Sequence, residues 1–180
     1  ELDELDTGKY MTSTADVFKE ALKKAHELIN KEDATKEELD EALKELQDAR
    51  AQLVLKASDD EVKTLKALMS QYNEKDYTAS SWKEFEKVYN SIKASLENEN
   101  SSEDIKKLTD SLNEAAGKLV KRADLSGLNA MLDSISKMDS KKFTSDSYSK
   151  LMSTVAEISK KLENSADMTQ DEADALTKEL

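Results

Sequence analysis

Apolar positions along the chain fall into helical stripes, and the stripes recur. Counted from Tyr10, Tyr77 and Phe143, a step of 8 reaches Phe18, Phe85 and Leu151, and a step of 12 reaches Leu22, Tyr89 and Val155. Steps of 15 and 19 reach Ala25, Ile92 and Ile158, then Ile29, Leu96 and Leu162. Spacings of three and four trace one face of an α-helix. The period is 66 or 67 residues, so the chain is an array of similar units.

Each stripe is followed by a polar break and then a hydroxyl residue with an acid three places on. The pairs are Thr35 with Glu38, Ser101 with Asp104, and Thr169 with Glu172. Such pairs begin helices, because the hydroxyl accepts from an orphan N–H and the acid lies at the positive helix end. Ser102 is a rival cap to Ser101. Beyond the caps run Leu39, Leu43, Leu46, Ala49 and Leu53, then Ile105, Thr109, Leu112, Ala115 and Leu119, and in the last copy Ala173, Thr177 and Leu180. Ahead of each aromatic lies a further stripe. It is Val62, Leu65, Met69 and Tyr72 in the middle copy, Leu128, Met131, Ile135 and Met138 in the last, and only Leu2 and Leu5 in the first.

The pattern predicts an all-α fold of tandem three-helix bundles, with units at residues 1–57, 58–123 and 124–180. The first unit lacks most of its first helix and the third lacks the end of its last, as in an excerpt from a longer array. Neither Pro nor Gly occurs between Glu38 and Tyr72. This predicts a helix shared across the first joint, about 35 residues and roughly 50 Å long. The second joint, Arg122 to Gly127, carries an Asp/Ser pair and a glycine that can interrupt it. The expected object is a monomeric, elongated rod.

Composition supports the helical reading and removes several functions. Pro and Cys are absent, Gly occurs three times, and charged residues make up 37%, a mixture suited to long helices. The net charge of −12 argues against nucleic acid, which requires clustered Lys and Arg. No apolar run approaches the length of a membrane span. The one imidazole, His26, aligns with Lys93 and Ser159 and is expected to face solvent. Asp59-Asp60-Glu61 and Asp171-Glu172 lack the alternating ligands and central Gly of a calcium loop. No phosphate loop, Cys/His metal spacing or nucleophile elbow occurs. The chain is therefore expected to be non-catalytic, with no cofactor and no metal.

The candidate site is the aromatic segment: Tyr77 and Trp82, with Phe143 and Tyr148 at matching places. Two roles fit. The rings can staple the loop to the second helix while Thr78 and Ser81 cap it, or they can form a stacking platform for a sugar. Ala15 stands at the Trp82 position of the first copy.

The run Tyr77-Thr78-x-x-Ser81-Trp82, the Leu112/Ala115/Leu119 stripe and the exit Leu119-Val120-Lys121-Arg122-Ala123 resemble the FIVAR module ("found in various architectures"). The resemblance covers nearly the whole chain, as one complete and two partial copies. It implies three-helix bundles in secreted or wall-anchored proteins of mostly Gram-positive bacteria. Such modules accompany glycoside hydrolases or form arrays in surface adhesins. It carries no catalytic residue. The functions it implies are a rigid spacer or stalk, or a binding module for host glycan, mucin or extracellular-matrix protein, located outside the cell or on its wall.

Overall fold

A computed structural model describes residues 5–180. Among them the regular structure is helical: α1 (Thr12–Ile29), α2 (Lys36–Ala51), α3 (Asp59–Met69), α4 (Ala79–Ser95), α5 (Ser102–Ala116), α6 (Ser126–Ser136), α7 (Ser145–Leu162) and α8 (Gln170–Glu179). The order first helix, short 3-10 turn, second helix, third helix appears twice in full, at α3–α5 and α6–α8. The first copy enters at its 3-10 turn, Thr7–Lys9, and Leu2 lies outside the described residues.

The third helices start where the caps predict. Thr35 and Glu38 exchange hydrogen bonds at 3.2 and 2.8 Å. Thr169 and Glu172 form the same box. At α5 the true cap is Ser101, whose hydroxyl and N–H both donate to Asp104 while Asp104 N–H returns to the hydroxyl at 3.1 Å.

The chain forms two compact units, Glu1–Met69 with Asn90–Leu112, and Ser70–Tyr89 with Asn113–Leu180. This division passes through the middle repeat, so each unit contains one whole joint. In the first unit Phe18, Ala25, Ala42, Leu46 and Ala49 cluster under Leu5, Leu22 and Leu53, and Leu65, Ile92 and Ile105 are also buried. In the second, Leu128, Ile158 and Leu176 cluster with Leu125, Leu132 and Leu162, and Phe85 is buried. Each such large side chain contributes about 1.5–3 kcal/mol on burial.

Three expectations fail. The first joint is not a shared helix, since α2 ends at Ala51 and an extended segment follows; the second is interrupted as its sequence allows, α5 ending at Ala116 before a like segment. Their backbone groups find partners in flanking loops, as described below, and β-branched Val54 and Val120 favour extended chain. Along α6 Met131 is exposed, as is Met138 just beyond its end, while Leu128 and Ile135 are buried and Leu132 is half-buried. The 3-4-3 spacing of Leu125, Leu128, Leu132 and Ile135 sets the inner face there, overriding a direct transfer from the middle copy. Finally, Ile29, Leu39 and Leu43 are exposed in the first repeat.

Candidate functional site

The joints are the most constructed feature of the chain, and they are built alike. At the first, Leu53 to Ala57 runs extended between two loops. Met11 N–H donates to Val54 O at 2.8 Å and Lys56 N–H to Lys9 O at 2.9 Å on one side. On the other, Ala57 N–H donates to Asn100 O at 2.9 Å and Ser102 N–H to Leu55 O at 3.4 Å. Isolated antiparallel bridges, Tyr10 with Leu55 and Lys56 with Ser101, mark the two edges. The joint segment thus pairs with the aromatic loop of the preceding repeat and the cap loop of the following one.

The second joint repeats the arrangement. Thr78 N–H donates to Val120 O at 2.9 Å, Arg122 N–H to Asp76 O at 3.0 Å, and Ala123 N–H to Met168 O at 2.9 Å. Tyr77 bridges Lys121. A hydroxyl completes each ladder from below: Val54 N–H donates to Thr14 Oγ1 at 3.2 Å, and Val120 N–H to Ser81 Oγ at 3.1 Å. Backbone groups that leave a helix need such partners, and here the ladder supplies them.

A carboxylate clasps each joint. Glu99 accepts from Thr12 N–H at 2.6 Å and from the Thr12 hydroxyl at 2.9 Å, and pairs with Lys56 at 3.1 Å. Asp167 accepts from Ser80 N–H at 2.6 Å. Each acid belongs to one repeat and satisfies the orphan N–H groups that open the second helix of the repeat before it. The Thr12 backbone N–H, then Lys56 and the Thr12 hydroxyl, hold the Glu99 carboxyl below its usual range. The Ser80 N–H and hydroxyl, with the Arg122 charge, do the same for Asp167.

The aromatic residues gather beside the second joint. Tyr77 stacks on Trp82 at 6.1 Å and 14°, Trp82 meets Phe85 at 5.1 Å, and Phe85 meets Tyr72 at 5.0 Å and Tyr89 at 5.9 Å. Lys121 Nζ lies 4.4 Å from the centre of the Tyr77 ring. Phe85 is buried and the other four rings are half-buried. Tyr77 therefore has two rings, Tyr72 and Trp82, and the Lys121 cation as neighbours. In the third repeat Phe143 stacks on Tyr148 at 6.4 Å, with Phe143 47% exposed. The structure brings Tyr77 to Trp82 and Phe143 to Tyr148 as two separate pairs. His26 lies exposed on α1, and the acids of Asp59-Asp60-Glu61 occupy the first turn of α3, where Glu61 caps Ser58.

Several functional residues escape the apolar pattern yet had signals. Ser58 and Glu61 exchange N–H bonds at 2.7 and 3.3 Å, a capping box spelled out in the sequence that ends any run-through helix. Asp6, Asn73 and Asp139 each accept the N–H two residues on, at 3.1, 3.1 and 3.0 Å, and so start the 3-10 turn four residues before the aromatic. The clasps also have a signature, an acid two residues before the third-helix cap: Asp33 before Thr35, Glu99 before Ser101, Asp167 before Thr169.

Fold and joints together define a tandem array of small helical modules linked by short extended ladders. A model of the FIVAR domain matches residues 3–54 and again 55–120. These two stretches cover more than half of the chain, which belongs to the FIVAR family, modules found in various architectures and in bacterial surface proteins. Residues 124–180 lie beyond the matched stretches and repeat the same order of elements. No curated protein and no solved structure matches the chain.

Proposed function

We propose that this chain is a non-catalytic accessory region of a bacterial extracellular protein, a rigid spacer that carries a glycoside hydrolase or an adhesive domain. The observation behind this reading is the duplication of the joint. A flexible tether needs no ladder, no hydroxyl backing and no carboxylate clasp, yet both joints have all three. Linkers that act as hinges are rich in Gly and Ser without fixed partners; residues 53–57 and 119–123 contain neither Gly nor Ser and are paired. The absence of natural cysteine makes the test direct. Spin labels at Glu32→Cys and Lys160→Cys should give one narrow distance distribution by pulsed electron resonance. A broad distribution would contradict the spacer reading.

A second reading, a binding module for host glycan, mucin or matrix protein, draws on the half-exposed Trp82 beside Tyr77. Saturable binding to a glycan array, mucin or matrix proteins that disappears in a still-helical Trp82→Ala would favour it. No binding above background leaves the spacer reading standing alone.

A further inference from the structure

The ladders close more than the joints. Residues 9–11 lead into α1 and residues 54–56 lead out of α2, so the paired strands are the entrance and the exit of one helical hairpin. Three bonds span this mouth: Lys56 N–H to Lys9 O, Met11 N–H to Val54 O, and Val54 N–H to Thr14 Oγ1. Glu99 adds a strap, since its carboxylate accepts from Thr12 at the entrance and pairs with Lys56 at the exit. Behind the mouth, Phe18 and Ala25 of α1 pack with Ala42, Leu46 and Ala49 of α2. The second mouth has the same plan. Residues 76–78 lead into α4 and residues 120–122 lead out from α5, joined by Arg122 N–H to Asp76 O, Thr78 N–H to Val120 O, and Val120 N–H to Ser81 Oγ.

A closed mouth changes how tension travels along the chain. Between Lys9 and Lys56 a pull has two routes, the whole of α1 and α2 or the bonds directly across the ladder, and the ladder is the shorter. We propose that each ladder is a mechanical latch, and that the hairpin behind it is stored length released in one step when the ladder opens under load. From Lys9 to Lys56 is 47 residues, and from Asp76 to Arg122 is 46. At about 3.5 Å per extended residue each hairpin stores about 160 Å. The use of such a latch rests on the spacer reading, in which the chain stands between a surface and what it carries. The two fail separately: a chain that is rigid at rest but yields helix by helix under load loses the latch and keeps the spacer.

The test is single-molecule stretching of the 180-residue chain by handles at its two ends. Each latch should open as one event that adds about 160 Å of contour length. Tyr10 and Leu55 face each other as a non-hydrogen-bonded antiparallel pair, the closer kind of cross-strand pair. A Tyr10→Cys, Leu55→Cys disulfide should therefore remove one event, and reductant should restore it. Met11 has φ −54° and ψ 131°, and Tyr10 before it is extended at φ −110° and ψ 158°, so Met11→Pro fits the backbone while deleting the N–H. It should lower the force of one event and leave the added length unchanged, as should the milder Ser81→Ala for the other. Leu46→Ala opens a cavity in the core behind the first latch; it should cost more stability in chemical denaturation yet lower the force less than Met11→Pro. Shorter successive steps in place of the single event overturn the proposal. So does a force that responds to Leu46→Ala and is indifferent to Met11→Pro.

Discussion

The first joint enters α3 through a capping box, Ser58 with Glu61, and closes with an acid that also holds Lys56. The second enters α6 without a side-chain cap on its N-cap residue, Leu125. There Asp124 instead accepts the Ser126 N–H at 2.9 Å while its own N–H donates to Gln170. It also adds the Lys121 contact with Tyr77, where the first joint has Leu55 opposite Tyr10. Side chains change, Glu to Asp and Thr to Ser, while the main-chain ladder and its two flanking loops stay. The common element is therefore the backbone pairing, and the side chains are alternative ways of supporting it.

That comparison can be broken at its centre. Ala57→Pro and Ala123→Pro each delete the N–H that pairs with the cap loop, at Asn100 and Met168, without removing a large side chain. Each should cost about 1–3 kcal/mol by leaving an acceptor unpaired, and the two losses should be similar by chemical denaturation. A large loss at only one joint would mean that the ladders are not equivalent. Next in size, Thr14→Val and Ser81→Ala remove the hydroxyls that receive Val54 and Val120 N–H, with an expected cost of about 1 kcal/mol each.

The clasps should sharpen the difference. Glu99→Gln and Asp167→Asn are expected to speed amide exchange at Thr12 and Ser80, more at Thr12 because Glu99 also loses Lys56. Acid should act in the same direction. Both carboxyls are lowered in the folded chain from ordinary values of 4.5 and 3.8, so their support is complete above those values. It fades as pH falls through the lowered ones. Thermal melts from pH 7 downwards should show this loss at low pH, reduced in the double Glu99→Gln, Asp167→Asn variant.

Much of this fold is legible in the sequence. The 66-residue recurrence, the stripe through Phe85 and Ile92, and the boxes at Thr35 and Thr169 locate the second and third helices. The absence of Pro and Gly predicts a helix through the first joint, and both joints instead run extended. Their extended state is set by hydrogen bonds to loops more than 40 residues away, such as Lys9 and Asn100, which a local period cannot report. Val54 and Val120, with the Ser58/Glu61 box, were the local clues. The aromatic site was legible as ring pairs, but the cation over Tyr77 depends on where the joint segment returns. Glu99 and Asp167 carry no local signal of a partner, because the N–H groups they accept, at Thr12 and Ser80, lie 87 residues earlier in the chain.

The most direct measurement of the central claim is residue-resolved hydrogen exchange at the joint amides of Met11, Lys56, Ala57, Thr78, Arg122 and Ala123. If the ladders hold the joints, these protons exchange with protection close to that of neighbouring helical amides. Exchange at the rate of an unstructured peptide, while α1, α4 and α7 remain protected, would show the joints to be open tethers and contradict the account.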